Sequence, residues 1–325
     1  MAVLERRSEG LYCPAAGAWI DPSRPVNRAL ITHAHADHAR PGSEEYWAVN
    51  QSEGVLRQRL GREIKLQSVS YGETLIIGKA KISFHSAGHV LGSAQIRIEV
   101  GGEVWLVTGD YKRCHDPSCT PFESVKCDVI ITESTFGLPI YRWKPGRDIA
   151  KEIHEWWNEE KEHSSLLFCY AFGKAQRVLA ELNALGINDE VLLHGAVETV
   201  TRHYREAGIK MAKTRPVSEI ERKDPLKGRL IIAPPSAYRS TWMKRFKEPQ
   251  TAFASGWMAV KGAKRRGGYE RGFVLSDHAD WPGLMQTIKE SEAKQVYVTH
   301  GQEDVISRYL REIEGIKADP LKSLS

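Results

Sequence analysis

His33-Ala34-His35-Ala36-Asp37-His38 sets three imidazoles and a carboxylate within six positions, directly after the apolar run from Arg28 to Thr32. With only 12 histidines in 325 residues, chance is a poor explanation, and a loop that binds metal is the better one. Alternation in a tight loop points His33 and His35 one way and leaves Asp37 and His38 to face a second ion. Neutral imidazole suits zinc and other borderline first-row cations, and a carboxylate widens the choice to manganese. His89, Asp110 and His300 stand on loops after apolar strands and complete a set of seven protein ligands. The expected division is His33, His35 and His89 for one ion, Asp37, His38 and His300 for the other, with Asp110 bridging.

Each of these residues has an ordinary reading when taken alone. His89 would be a loop histidine, and Asp110 after Gly109 a turn aspartate; beside the six-residue cluster both readings weaken. Asp21 either orients a ligating imidazole from behind or caps the loop at Pro22. His85, His115, His154, His163, His194 and His203 have no such company and are read as structural or surface residues.

The rest of the chain is ordinary globular material, 41% apolar and 27% charged, which excludes disorder, fibres and small disulfide scaffolds. Its length suggests about two domains. Five cysteines form no CxxC pair and cannot all be bridged, so reduced thiols are expected. Cys114 and Cys119 flank His115, but no second Cys/His pair lies near enough for structural zinc. No run of about 18 apolar residues could span a membrane, and Met1 to Gly10 lacks the apolar centre of a secretory signal. A cytoplasmic protein without membrane association is the expectation. The net charge of +5 is modest, yet Arg239 to Arg271 holds nine Lys or Arg against Glu248 and Glu270, a local excess of +7.

Apolar, β-rich runs that end in chemistry-bearing residues recur: Val104 to Thr108 before Asp110, Asp128 to Thr132 before Glu133, Gly272 to Leu275 before His278, and Gln295 to Thr299 before His300. Ala80 to Ser86 and Ser93 to Val100 read as paired strands whose connection carries His89. Helical spacing covers Asp148 to Lys161, Ala175 to Leu185, Val197 to Ala207 and Val305 to Ile313. An α/β chain is expected, with residues 1–137 and 273–325 as two parts of one metal-binding domain and 138–272 inserted between them.

The ligand pattern resembles the metallo-β-lactamase superfamily, in which HxHxDH is followed by distant His, Asp and His. Glu133-Ser134-Thr135-Phe136-Gly137, Phe172-Gly173-Lys174-Ala175-Gln176 and Leu275-Ser276-Asp277-His278-Ala279-Asp280 are similar to the marks of its β-CASP nuclease branch. The resemblance implies an αββα sandwich with an inserted α/β β-CASP cap, two divalent ions, zinc before manganese, and catalytic roles for Asp37, Asp110, Glu133 and His278. Ser255-Gly256-Trp257-Met258, the basic run after it and Val298-Thr299-His300-Gly301 are most similar to bacterial ligase-associated, Artemis-like DNA exonucleases. That subgroup implies 5′ to 3′ digestion of DNA with single strands or free ends, in DNA repair, and a functional link to a DNA ligase and a helicase. His300 departs from this pattern, because a histidine at that position is commoner in the branch's RNA-processing enzymes.

Cutting a phosphodiester needs an in-line nucleophile, neutralised phosphoryl charge and a proton for the leaving oxygen. His278, oriented by Glu133, is the expected proton donor, facing a substrate cleft between domains. Lys261, Lys264, Arg265 and Arg266 in a Gly-rich loop are the expected phosphate contacts, and Lys174 at a strand-to-helix turn is either a further phosphate contact or part of a structural turn. Trp242, Phe246, Phe253, Trp257 and Tyr269 interleave with the cations and are read individually as core before base-stacking groups. The rival functions are an RNA-processing ribonuclease, a small-molecule hydrolase of the same superfamily, and a non-catalytic scaffold, which the intact ligand set argues against.

Overall fold

Strand Val129–Glu133 is buried along its whole length because both of its faces are covered. In this computed structural model, which describes residues 2–221, 223–260 and 267–324, it is an inner member of a seven-stranded sheet. Their order is Ala318–Pro320, Gln295–Thr299, Val129–Glu133, Glu103–Val107, Ala94–Val100, Ala80–Ser86, Thr74–Ile77. Side chains alternate across a strand, so Val129 and Ile131 enter one apolar cluster and Ile130 another. Trp105 and Val107 join the first and Leu106 the second.

The first cluster is shared with a six-stranded sheet running in chain order, Glu5–Arg7, Gly10–Cys13, Ala18–Ile20, Arg28–Leu30, Glu45–Val49 and Leu66–Val69. Ala18, Ile20, Leu30, Val49 and Val69 meet Phe84, Ile96, Ile98 and Trp105 there. On the opposite face, Val296 and Val298 pack with Leu284 and Ile288 of helix Trp281–Glu290 and with Ile306 and Leu310 of helix Glu303–Glu312. The result is two stacked sheets with helices on an outer face. The connection between Ala80–Ser86 and Ala94–Val100 is buried, and Ser93 Oγ accepts hydrogen bonds from the backbone N–H groups of His89 and Val90.

The chain divides into two compact units. The first holds Met1–Cys114, Thr120–Arg142 and His278–Ser325; the second holds His115–Cys119 and Trp143–Asp277. The boundaries read from sequence, after residues 137 and 272, fall a few residues earlier than these. The His115–Cys119 excursion is tied to the second unit by buried Asp116, whose Oδ2 lies 3.4 Å from Arg177 Nε.

The second unit is built on a parallel sheet ordered Thr214–Pro216, Val191–Leu193, Leu230–Ala233, Ser165–Phe168, Gln250–Ala254, Arg271–Phe273. Helices Gly146–Glu159, Lys174–Ala184 and Gly195–Glu206 belong to it. Every residue of Ser165–Phe168, Val191–Leu193 and Leu230–Ala233 is buried, the pattern of parallel strands covered on both faces. Helix Trp281–Glu290 is absent from the periodicity reading. Its start is nevertheless written in Asp280, which accepts from Gly283 N–H at 3.0 Å, and in Pro282 within the first turn. Among the described residues no helix is long and apolar enough to cross a membrane.

Candidate metal centre

Glu103–Val107, Val129–Glu133 and Gln295–Thr299 run parallel, so their carboxyl ends lie along one edge of the sheet. Asp110, Glu133 and His300 leave that edge together. The loop after Arg28–Leu30, in the other sheet, supplies His33 to His38. Gly109 lets the two loops close on each other: it adopts φ +54°, and a Cβ there would lie 2.7 Å from Thr32 Cβ. Gly301 does the same for His300, since a Cβ at its φ of +75° would meet Ser134 O at 2.2 Å.

Two histidine-rich donor sets that could hold a metal ion result, beside a third group of Asp110, Glu133 and His278. His33, His35, His89 and Asp110 each offer an atom within 4.8 Å of the others, as do His38, Asp110 and His300. Asp110 is common to both. Its Oδ2 lies 3.5 Å from His33 Nε2, 3.5 Å from His38 Nε2 and 3.8 Å from His89 Nε2, and its Oδ1 lies 3.7 Å from His300 Nδ1. Asp37 stands apart from both sets; it is exposed, with Oδ2 3.7 Å from His38 Nε2.

Behind the ligands, Asp21 Oδ2 is 2.7 Å from His38 Nδ1, and Asp21 also accepts from Thr32 N–H at 2.8 Å and from Thr32 Oγ1. Thr32 Oγ1 lies 3.1 Å from His33 Nδ1. Asp21 and His300 both carry positive φ, 43° and 55°, a conformation that costs a non-glycine residue and concentrates at functional sites. Thr32 and Tyr111 are the contributors that sequence reasoning passed over. Tyr111 N–H donates to Glu133 Oε1 at 2.8 Å and its carbonyl accepts from Ala279 N–H at 2.6 Å, bracing the residues on either side of the Glu133–His278 pair. Their only signal was adjacency, Thr32 to His33 and Tyr111 to Asp110.

Glu133 is fully buried, and its Oε1 and Oε2 lie 3.0 and 2.9 Å from His278 Nδ1. That nitrogen is 4.0 Å from Asp110 Oδ2. Burial opposes charge on Asp110, but nearby His278 and His38 hold its carboxyl well below the usual carboxylate range. Burial drives His33 well below the ordinary imidazole value, toward the neutral form that ligates. For His38, burial is outweighed by the pull of Asp110 and Asp21, and its value rises. The donors suit a divalent cation on a direct test: His33 Nε2, His38 Nε2 and Asp110 Oδ1 are buried without a hydrogen-bond partner, a costly arrangement unless something else satisfies them.

The expected phosphate contacts fare differently. Lys174 is 4% exposed, and its Nζ lies 2.5 Å from buried Asp277. A carboxylate 103 positions further along holds the ammonium inside the second unit, so the surface phosphate contact expected of Lys174 is corrected to an internal ion pair. Lys261, Lys264, Arg265 and Arg266 lie outside the described residues.

No model of a known protein family matches the chain. Over 315 residues it is 30% identical to a protein of Opitutus terrae named probable DNA ligase, covering 96% of this chain and 30% of that one. Over 123 residues it is 35% identical to the endoribonuclease YSH1 of Yarrowia lipolytica, covering 37% of this chain and 15% of that one. The chain thus spans less than a third of either relative. A crystal structure of an Enterococcus faecalis protein of unknown function shares the fold, with a TM-score of 0.61, 11% identity, and coverage of 90% of this chain and 78% of that one.

Proposed function

This chain belongs to the β-CASP branch of the metallo-β-lactamase superfamily, and from that membership we propose that it is a metal-dependent nuclease degrading DNA from 5′ ends in cytoplasmic DNA repair. The reading treats residues 1–137 and 273–325 as an αββα metallo-β-lactamase domain and 138–272 as its inserted β-CASP cap. The observation that carries it is the position of Asp110, shared by two histidine sets and 4.0 Å from the histidine paired with Glu133.

His33, His35, His89 and Asp110 would hold one divalent ion; His38, His300 and Asp110 would hold a second, with Asp37 at its rim. Zinc suits the imidazoles and manganese the carboxylates. Such a pair, when bound, makes water acidic enough to attack near neutral pH and neutralises charge on the phosphoryl oxygens. Asp21 fixes the ring of His38 through Nδ1 and so presents Nε2 for ligation. Glu133 accepts from His278 Nδ1–H and stabilises the imidazolium, whose Nε2 proton goes to the leaving oxygen.

The ligase name of the Opitutus relative supports a functional link to a DNA ligase, with a helicase as a further expected partner. His300 and the endoribonuclease name of the Yarrowia relative favour RNA as the second reading. An end-labelled digestion series decides: matched DNA and RNA strands, with 5′ phosphate or 5′ hydroxyl, in zinc and in manganese. Mononucleotides released from the 5′ end of DNA, lost in Asp110→Ala and with chelator, are expected. Cleavage confined to RNA would transfer the assignment to the ribonuclease reading, and turnover unchanged in Asp110→Ala would end both.

A further inference from the structure

The parallel sheet of the second unit reverses direction at Ser165–Phe168. From that strand the chain steps to Val191–Leu193 and on to the edge at Thr214–Pro216. It then returns to Leu230–Ala233 and passes across Ser165–Phe168 to Gln250–Ala254 and Arg271–Phe273. Crossovers between parallel strands keep one hand, so connections leaving on opposite sides of Ser165–Phe168 cover opposite faces. A crevice opens at the carboxyl ends of the strands where this happens, the general position of ligand sites in open α/β sheets.

Two aromatic side chains stand there. Past Phe168 the chain runs Cys169-Tyr170, and past Ala254 it runs Ser255-Gly256-Trp257; the strands are neighbours, with Phe168 opposite Phe253. Tyr170 is 54% exposed and Trp257 48%. The other aromatics of the basic segment are accounted for by packing: Phe246 is buried, and Trp242, Phe253 and Tyr269 pack against the same apolar cluster. Single exposed aromatics need no explanation, but two on adjacent strand ends at a switch point are not scattered. The Tyr170 ring is also braced, with Lys174 Nζ 5.8 Å from its centroid while held by Asp277, and the turn that carries Trp257 is capped by Ser255 Oγ, which accepts from the Trp257 backbone N–H at 3.3 Å.

We propose that Tyr170 and Trp257 form a stacking platform for unpaired bases of a nucleic-acid strand. Among the described residues of the basic segment, Arg239, Lys244, Arg245, Lys247 and Arg271 exceed Glu248 and Glu270 by three charges, an excess that selects a polyanion over an apolar peptide. Exposed ring faces select separated bases over a duplex, whose bases are already stacked. The inference rests on the nuclease reading and narrows its substrate to single strands.

Binding is measured by fluorescence anisotropy in chelator, which prevents cleavage, with labelled oligothymidylate, an abasic strand of equal length and a duplex hairpin. Tyr170→Ala and Trp257→Ala should each weaken oligothymidylate binding about fivefold or more, leave the abasic strand and hairpin unchanged, and preserve the salt slope, which counts phosphates. Tyr170→Phe and Trp257→Phe should bind nearly as wild type. Oligothymidylate should quench tryptophan emission in the wild type, and less so in Trp257→Phe. Wild-type affinity in both alanine variants, equal losses on the abasic strand, or an unchanged quench in Trp257→Phe would overturn the platform. Cleavage by metal-loaded wild type is scored separately: cutting without any effect of the variants removes the platform alone, whereas neither cutting nor binding removes the nuclease reading.

Discussion

Asp21 is held at a positive φ with one carboxylate oxygen on His38 Nδ1 and both oxygens engaged by Thr32. Asp21 is the nearer partner at that ring edge, Thr32 Oγ1 lying 3.4 Å from the same nitrogen, so Asp21→Ala should weaken metal affinity about 10- to 100-fold, as removal of such partners does. Competition with a fluorescent zinc chelator checks this; unchanged affinity would reduce Asp21 to a loop cap. The residue scale also shows what the sequence could and could not disclose. His33, His35 and His38 are legible because they are contiguous. Lys174 stays open between phosphate contact and structural turn in the sequence, because its partner, Asp277, is 103 positions away. The thiols give an independent check: burial pushes Cys127 and Cys169 up to about 12, so thiolate is scarce near neutral pH. Iodoacetamide at pH 8 should modify half-buried Cys114 first and spare Cys127 and Cys169 until urea unfolds the chain. Peptide mass mapping of Cys169 alkylated as fast as Cys114 would contradict the packing described.

At the scale of elements, the site is made by strand ends meeting, and glycine sets how closely they meet. Gly109→Ala would place a methyl against Thr32 in a left-handed conformation, at a cost of roughly 1–3 kcal/mol. A lower urea midpoint together with lost metal affinity is expected, because the same loop carries Asp110. A variant with the wild-type midpoint would show that the two loops need not touch. The strands before Asp110, Glu133 and His300 are legible as apolar runs; Val129–Glu133, buried throughout, is the near-continuous hydrophobic sequence of a covered parallel strand, whereas Gln295–Thr299 alternates buried and half-buried residues. Their parallel alignment, which places Asp110, Glu133 and His300 on one edge, is long-range pairing invisible to periodicity. The same limit applies to the aromatics: Phe253 and Trp257 look alike in sequence, and only the end of strand Gln250–Ala254 separates the packed ring from the exposed one.

At the scale of the whole molecule, two compact units divide the labour of the chain. The first holds the histidine and carboxylate sets at the joined ends of two stacked sheets. The second carries a parallel sheet, most of the surplus positive charge and the exposed aromatic pair. The insertion is legible because the histidines between the Glu133 motif and His278, which are His154, His163, His194 and His203, have no ligand-like company in the sequence. The short His115–Cys119 excursion is not, because it depends on Asp116 meeting Arg177. The central claim is that residues far apart in sequence hold a pair of divalent ions through one shared carboxylate. Metal content per chain, measured by plasma mass spectrometry after zinc loading and desalting, tests it most directly. About two ions are expected in the wild type and fewer than one in Asp110→Ala; a wild type that retains none, or an Asp110→Ala variant that retains both, would contradict it.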